Sequence, residues 1–277
     1  MKISLVMATI GRTWEVERLL TSLEKQTYKN FEVIIVDQNN DDRLNPIIEK
    51  FKDSFFIKRI KSEKGLSRAR NKGLKHISGD IVAFPDDDCW YPKDLLYKVF
   101  RFFCEHPSID GLTGRSVNEY FENSAGNFQK NSIFINRYNV WNTAISFTIF
   151  VRRKVTEKIF FDEMLGVGAN TPFGSGEETD FLLRCLNNNF KLYYDFNLIV
   201  HHPDPLIKYD KKAFERAFSY GCGFSKVLKK HKYHWLYISF KLFKPLAGAL
   251  LFLLLFKFGK AKFYFYSFKG RLKGILL

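Results

Sequence analysis

The sequence has few cysteines, four in 277 residues, and no two of them form a CxxC pair. This spacing argues against a disulfide framework and against a Cys-based zinc site, and it favours a reducing compartment over secretion. The first residues, MKISLVMATIGR, lack the small-residue cleavage site of a signal peptide. We therefore interpret them as the first strand of a folded domain.

Acidic residues are nearly absent from the last quarter of the chain. Between residues 208 and 277 there are sixteen Lys and Arg but only two acids, Asp210 and Glu215, so this segment carries +14 of the total formal charge of +15. Nucleic acid and an anionic membrane surface are both candidate partners for such a segment. Its basic residues border an apolar run instead of alternating with stacking aromatics on a polar surface, which favours lipid over nucleic acid.

The basic tail lacks an uninterrupted apolar run long enough to span a bilayer. Its apolar run at residues 245–256 has twelve residues, whereas a spanning helix needs about 20. We therefore expect a helical segment that lies in the membrane interface, with lysines and aromatic residues at its borders. Two alternatives are a hydrophobic helix that completes the core or a dimer contact, and a true span whose lysines snorkel.

The first 110 residues alternate between strand-like and helix-like segments. Nearly continuous apolar strands that alternate with helices indicate an α/β fold, with a mostly parallel sheet covered on both faces. Beyond residue 110 the alternation is less regular, and NTAISFTIFVRR is interpreted as a strand in a mixed extension of the sheet. The four predicted N-terminal strands are ISLVMA, FEVIIVD, FFIKRI and DIVAF.

Three polar clusters fall where predicted strands end. They are residues 9–12, residues 37–40 and the triplet Asp86, Asp87 and Asp88. Ligands of parallel sheets bind beyond the carboxyl ends of the strands, so we expect the three clusters to form one site. Mg²⁺ and Mn²⁺ prefer carboxylate oxygens, and the triplet therefore predicts a divalent cation site. An acidic turn that caps the following helix is the alternative.

A second acidic motif, GSGEETDFLLR, spans residues 174–184. Its acids Glu177 and Glu178 stand at the start of a predicted helix, where they either stabilise the helix dipole or supply a general base to an acceptor hydroxyl. In GLSRARNKGL, Arg70 either belongs to a solvated basic face or balances phosphate charge. In LIVHH, His201 and His202 close a strand, and one of them is a candidate metal ligand.

Together these segments resemble the family 2 glycosyltransferases of the GT-A (Rossmann-like) fold. The resemblance covers residues 1–205, which we predict to be the GT-A catalytic domain. Residues 206–277 then form a basic, apolar helical region that associates with a membrane, similar to bacterial members that build surface polysaccharides. The matching stretches, in the family's order, are SLVMATIGR, QTYKNFEVIIVDQNNDD, GLSRARNKGL, GDIVAFPDDDCWYP and GSGEETDFLLR.

The resemblance implies an inverting transfer of a sugar from a nucleotide-diphospho sugar to a hydroxyl of a glycan acceptor, in particular a lipid-linked one. It implies a divalent cation, Mn²⁺ or Mg²⁺, as cofactor. Together with the basic, apolar tail, it leads us to expect a peripheral or monotopic protein at the cytoplasmic face of the cell membrane. The tail itself favours contact with an anionic membrane surface and not with nucleic acid. The alternative is a non-catalytic membrane-surface module on a degenerate GT-A fold.

The resemblance also assigns roles to residues of this sequence. The metal ligands would be Asp86, Asp88 and His201, with His202 as the alternative histidine, and the base would be Glu178 or its neighbour Glu177. Two departures from the family's pattern leave questions open: Gln38 replaces a second acid that contacts the nucleobase, and Glu-Glu replaces the Glu-Asp base motif. The residues assigned to the nucleotide sugar are Thr9, Arg12, Asp37, Gln38, Arg70, Asp86 and Asp87.

Overall fold

The structure, a computed structural model, describes residues 1–204 and 208–277. These residues form two compact units. The first contains Met1–Lys64, Arg68–Phe161 and the stretch that begins at Phe181. The second contains Gly65–Ser67, Asp162–Asp180 and the C-terminal stretch that ends at Leu277. The domain boundary predicted between residues 205 and 206 falls among residues outside the described ones and stays a prediction.

Eight strands form one sheet among the described residues of the first unit. Their order across the sheet is β3-β2-β1-β4-β7-β5-β8-β6. The four N-terminal strands are all parallel, and β5 is parallel to β8. The strands are β1 (Ile3–Thr9), β2 (Phe31–Asp37), β3 (Phe56–Lys61), β4 (Ile81–Ala83), β5 (Gly111–Val117), β6 (Ile133–Phe134), β7 (Ile149–Arg152) and β8 (Leu192–His201).

Helices cover both faces of the N-terminal half of this sheet, as the apolar strands predict. Every residue of β1 and β2 is buried. On one face α1 packs Leu19 and Leu23 against the strands. On the other, α3 approaches so closely that a Cβ on Gly73 would lie 2.4 Å from Cγ1 of Val6. The helices are α1 (Trp14–Glu24), α2 (Asn45–Phe51), α3 (Leu66–Leu74), α4 (Leu95–Glu105), α5 (Arg153–Thr156) and α6 (Glu177–Asn187).

The strand predicted at NTAISFTIFVRR is shorter than the sequence indicated. Ser146–Thr148 form a 3-10 turn, and only Ile149–Arg152 pair as β7. This strand runs antiparallel between β4 and β5. The extension of the sheet is therefore mixed, as expected, and the parallel strands resume at β5 and β8.

Three long helices make up most of the second unit: α7 (Lys211–Lys230), α8 (Trp235–Leu254) and α9 (Phe258–Leu276). Glycines let α9 lie directly on α7. A Cβ on Gly270 would lie 2.0 Å from the carbonyl oxygen of Phe218, and one on Gly274 would lie 2.3 Å from that of Cys222. Such close backbone approach between helices requires small residues. We call α8 and α9 the C-terminal hairpin.

The apolar tail segment becomes a helix longer than its uninterrupted apolar run. Helix α8 includes Lys241 and Lys244 and reaches twenty residues, which is long and apolar enough to cross a membrane. Only 11% of its most apolar stretch is buried. This exposure argues against the alternative in which the helix completes the chain's own core. Large apolar side chains are exposed around the turn of the hairpin at Leu250, Leu251, Leu253, Leu254, Leu255, Phe256 and Phe258.

Candidate functional site

The carboxyl ends of β1, β2 and β4 bring the three predicted polar clusters to one edge of the sheet. Thr9, the last residue of β1, pairs in register with Asp37, the last residue of β2. Asp86, just beyond β4, forms a parallel bridge with Ala8. The backbone therefore places the aspartate triplet beside the loop that contains Arg12.

Two arginines pair with the aspartate triplet. Arg12 Nη1 lies 2.6 Å from Oδ1 of Asp87 and 2.6 Å from Oδ2 of Asp88. Arg70 is 1% exposed, and its Nη2 lies 2.8 Å from Oδ1 of Asp86. A solvated basic face, the alternative for Arg70, does not fit a guanidinium this deeply buried.

The three carboxylates differ in acidity because their partners differ. Burial raises the pKa of Asp86, with Arg70 opposing the effect. Burial also raises the pKa of Asp87, to about 6, although Arg12 counteracts it. At Asp88 burial acts in the same sense, but His202 and Arg12 together lower the pKa below its usual value. Of the three aspartates in the triplet, Asp88 is thus the one held most firmly as an anion.

His202 and His201 have different surroundings although they are adjacent. His202 Nε2 lies 3.2 Å from Oδ1 of Asp88, and its ring stacks on Phe147. Burial tends to lower the pKa of His202, but Asp88 raises it above its usual value. His201 instead stacks on Trp90 at a centroid distance of 5.2 Å, and burial lowers its pKa. Of the two, His202 is the histidine that contacts the triplet.

The residues at this edge fit a divalent cation by their chemistry. Carboxylate oxygens are the ligands that Mn²⁺ and Mg²⁺ prefer, and a neutral imidazole nitrogen is a common protein ligand for metal ions. Nδ1 of His202 lies 2.7 Å from the carbonyl oxygen of Pro203, so its proton is donated there, and Nε2 faces Asp88. Metal-binding histidines commonly use their second nitrogen in this way. Among residues 1–204 and 208–277, no group of three or more His, Cys, Asp or Glu is already arranged around a metal position.

Asp37 is a buried anion surrounded by donors. It is fully buried, and its carboxylate accepts from Arg59 at 2.6 Å, Lys61 at 2.9 Å and the backbone N–H of Asn39 at 2.9 Å. Burial alone would raise its pKa, but these bonds lower it. The next residue, Gln38, donates its backbone N–H to the carbonyl oxygen of Thr9. The pair predicted to contact the nucleobase is thus fixed to both neighbouring strands.

The motif that holds the predicted base belongs to the second unit up to Asp180. Glu177 is 6% exposed, and a Cβ on Gly166 would lie 3.1 Å from its carboxyl group. Glu178 is more accessible than Glu177. A general base must reach its substrate, so this difference favours Glu178 of the two.

Sequence reasoning missed several partners of the predicted residues. Arg59 and Lys61 lie on β3, where Lys61 pairs in register with Asp37. The basic residues of FIKRIK follow a strand that ends in an aspartate, and this pattern could have predicted the ion pairs with Asp37. Arg18, which donates to the carbonyl oxygen of Asp88 at 2.5 Å, had no such signal, and neither did the contacts of Asp180 described below.

Comparison with known proteins identifies the family. The model of "Glycosyl transferase family 2" matches residues 4–160, more than half of the chain. The chain belongs to this family. The match includes the ends of β1 and β2 and the aspartate triplet.

Individual relatives are similar over shorter stretches. An uncharacterized glycosyltransferase of Haemophilus influenzae is 29% identical over 202 residues, which is 70% of this chain and 65% of the relative. The UDP-Glc:alpha-D-GlcNAc-diphosphoundecaprenol beta-1,3-glucosyltransferase WfgD of Escherichia coli is 34% identical over 100 residues, 35% of this chain and 39% of WfgD. The chain spans less than two thirds of the length of these curated relatives.

Solved structures establish the fold. The mannosyltransferase PcManGT from Pyrobaculum calidifontis, solved with GDP-Man and Mn²⁺, superimposes with a TM-score of 0.68 over 98% of this chain and 87% of PcManGT. The two sequences are 15% identical, so this likeness concerns the fold. The GT-A fold expected from the sequence is confirmed.

Proposed function

We propose that this chain is an inverting glycosyltransferase that uses a nucleotide-diphospho sugar and transfers the sugar to a hydroxyl group of a lipid-linked glycan. One observation carries the proposal. In a chain of glycosyl transferase family 2, three aspartates, two arginines and a histidine meet at the sheet edge where β2 ends at Asp37 and Gln38 follows. This is the edge at which open α/β sheets bind nucleotides.

The nucleoside would lie against Asp37 and Gln38, and the diphosphate against the triplet and its arginines. Asp37 stays charged near neutral pH, so it can accept a hydrogen bond from a base N–H. Gln38 offers an amide that both donates and accepts, which leaves uridine, thymidine and guanosine donors as candidates. Arg12 and Arg70 provide fixed positive charge for phosphate oxygens.

A divalent cation would be held by Asp86, Asp88 and a histidine. The sequence assigned His201 to this role, and the contact with Asp88 moves the assignment to His202. When bound, the cation would stabilise the negative charge of the departing diphosphate.

Glu178 is the proposed base. The acceptor hydroxyl oxygen forms a bond to the anomeric carbon of the donor sugar while its proton passes to the Glu178 carboxylate. The bond between the anomeric carbon and the diphosphate oxygen breaks, and its electron pair leaves with the diphosphate. The attack comes from the face opposite the leaving group, so the anomeric configuration inverts. Proton transfer by a positioned carboxylate contributes about 10²–10⁴-fold in rate.

The C-terminal hairpin supports a membrane location. Its exposed leucines and phenylalanines adjoin Lys257, Lys260 and Lys262, a combination that suits an interface with anionic lipid. WfgD acts on a diphosphoundecaprenol-linked sugar, and an acceptor of that kind would present its sugar at a membrane surface. We therefore propose that the protein binds the cytoplasmic face of the cell membrane as a peripheral or monotopic protein, and that it acts in surface polysaccharide synthesis.

The experiment that tests this function is donor binding followed by turnover. Thermal unfolding is measured with UDP-glucose, dTDP-glucose and GDP-mannose, each with Mn²⁺, and the donor that shifts Tm is then tested for hydrolysis and transfer. We expect one nucleotide class to bind and turn over, and Asp88→Ala to abolish turnover while Asp53→Ala, an exposed control, does not. Binding without turnover across a broad acceptor panel would favour the alternative of a non-catalytic membrane module.

A further inference from the structure

The second unit contains a buried carboxylate that the proposed chemistry does not use. Asp180, three residues after Glu177, is fully buried. Its Oδ1 lies 2.8 Å from Nε2 of His231 and 2.8 Å from Nζ of Lys230. The His231 side chain is itself 6% exposed. Both partners lie at the C-terminal end of α7, some fifty residues further along the chain.

The loop before Asp180 is also built on α7. Gly174 donates its N–H to the carbonyl oxygen of Ser219, and Ser175 donates its hydroxyl to the carbonyl oxygen of Tyr220 at 3.0 Å. Gly176 has a φ of +94°, which a residue with a side chain rarely adopts. A Cβ on Gly176 would also lie 2.8 Å from Cγ2 of Val227. The GSG sequence therefore serves to bring this backbone against α7.

We propose that Asp180, Lys230 and His231 are positioning residues that hold the first turn of α6, and with it the carboxylate of Glu178, in the orientation needed for proton transfer. This inference rests on the proposed function of Glu178. In this arrangement α7 is part of the catalytic apparatus, in addition to carrying the C-terminal hairpin.

Charge supports the positioning role. Three carboxylates, Glu177, Glu178 and Asp180, lie within one helical turn, so their like charges repel one another. Lys230 donates to both Asp180 and Asp162, and His231 adds a second donor to Asp180. Without these partners Asp180 would be an unpaired buried charge, which strongly destabilises the folded state. Lys230 and His231 thus stabilise the charged Asp180 inside the second unit. Of the three carboxylates, Glu178 is the most accessible.

The test compares conservative and disruptive variants of the full-length chain. His231→Gln keeps an N–H donor at a similar reach, whereas His231→Ala removes it, and Lys230→Arg and Lys230→Met form a second such pair. Lys229→Met is the matched control, because the Lys229 ammonium contacts the carbonyl oxygen of Ile275. Hydrolysis of UDP-glucose, dTDP-glucose and GDP-mannose gives kcat and KM, and hydrogen exchange reports the amides of residues 174–180.

We expect Asp180→Ala and His231→Ala to lower kcat on the order of 10²-fold, the cost of misplacing a catalytic group by about 1 Å, with donor KM changed less than about 2-fold. His231→Gln and Lys229→Met should stay within about 3-fold of the wild type. The acidic limb of the pH–rate profile should move to higher pH in Lys230→Met, because this variant removes the positive charge that contacts Asp180, two residues from the proposed base. It should move to lower pH in Asp180→Asn, because a negative charge is lost.

Two outcomes separate this inference from the proposed function. If the wild type hydrolyses a donor but the Ala variants keep its kcat and its exchange rates at residues 174–180, the positioning role is wrong. In a second outcome, hydrogen exchange at residues 174–180 rises in Asp180→Ala and His231→Ala, but the wild type turns over no donor. The anchoring role of these contacts would then be confirmed, and the proposed transferase activity would be wrong. A loss of kcat in Lys229→Met equal to that in His231→Ala would also overturn the inference, since a general defect of α7 would then explain both results.

Discussion

His202 Nε2 lies 3.2 Å from Oδ1 of Asp88, and the same imidazole uses Nδ1 to donate to the carbonyl oxygen of Pro203. The ring can therefore present Nε2 to Asp88 either as a proton donor, when the imidazole is charged, or as a lone pair. A cation that binds Asp88 would replace the proton at Nε2. The same side chain could thus form a charged ion pair with Asp88 in one state and, in the proposed metal-bound state, would be a ligand of the cation.

The first prediction concerns the metal. His202→Ala should raise the Mn²⁺ concentration needed for half-maximal turnover by about 10–100-fold, the usual cost of losing a group that supports a metal site. His201→Ala should change it far less, because His201 packs against Trp90. A manganese titration of donor hydrolysis measures both. If the two variants behaved alike, the assignment of His202 over His201 would be unsupported.

The second prediction concerns the base. Glu178→Gln should lower kcat by about 10²–10⁴-fold without weakening donor binding, because the amide retains the shape of the side chain but cannot take a proton. Glu177→Gln should keep more activity, since Glu177 is nearly buried beside Gly166. Steady-state kinetics paired with donor-induced Tm shifts distinguish the two. The opposite ranking would make Glu177 the base.

The third prediction concerns stability in acid. Burial opposes ionisation of Glu32, but bonds from Lys2, Ser4 and Ser78 lower its pKa from 4.5 to about 2. A lowered carboxylate pKa stabilises the fold above the unfolded-state value, and this contribution disappears as the pH falls through the folded-state value. Glu32→Gln should cost about 2 kcal/mol at pH 7, less than the full pKa difference gives because Lys2 is partly exposed.

That cost should shrink steadily between about pH 4.5 and pH 2, since the wild type also loses the charge there. Urea denaturation at several pH values measures it. Glu63→Gln serves as the control, because the Glu63 side chain is 86% exposed. If Glu32→Gln lowered the free energy of unfolding by the same amount at every pH, the side chain would stabilise the fold through packing and not through its charge.

The fourth prediction concerns the membrane. Replacing Leu254 and Phe256, which are 76% and 79% exposed, with Gln should reduce binding to vesicles that contain phosphatidylglycerol at least about 10-fold, since each large apolar side chain contributes about 1.5–3 kcal/mol when fully buried. Flotation measures the bound fraction. Tyr120→Gln, an equally exposed aromatic position in the first unit, is the control.

Charge should contribute separately to this binding. Each lysine near an anionic surface adds about 1 kcal/mol of attraction, and salt screens it. Wild-type binding should therefore weaken with added salt and on vesicles of phosphatidylcholine alone. A full-length chain that stays in solution with anionic vesicles at low salt would remove the membrane from the proposed function.

The sequence was most informative where burial dictates residue type. Continuous apolar runs identified β1 and β2, and helical spacing identified the buried face of α1. The polar residues that end those strands could then be placed at one sheet edge, because parallel topology leaves them no other position.

Contacts between residues distant in the sequence could not be predicted in the same way. Nothing in LIVHH decides which histidine faces Asp88, since that depends on where β8 ends and on the path of the following residues. Asp180 and His231 are separated by 51 residues, and only the packing of α7 brings them together. Arg12 was expected near the nucleotide, but its ion pairs with Asp87 and Asp88 depend on the turn at Gly11, which has a φ of +73°.

The two outer strands of the sheet are poorly suited to pairing with another chain. At one border β6 has only two residues, too few for a stable ladder. At the other, β3 carries Lys58, Arg59 and Lys61, and such charges discourage a neighbouring strand from adding on. Crowding at a membrane raises the local concentration of any protein bound there, so this protection of the sheet borders would keep neighbouring copies from aggregating through backbone hydrogen bonds.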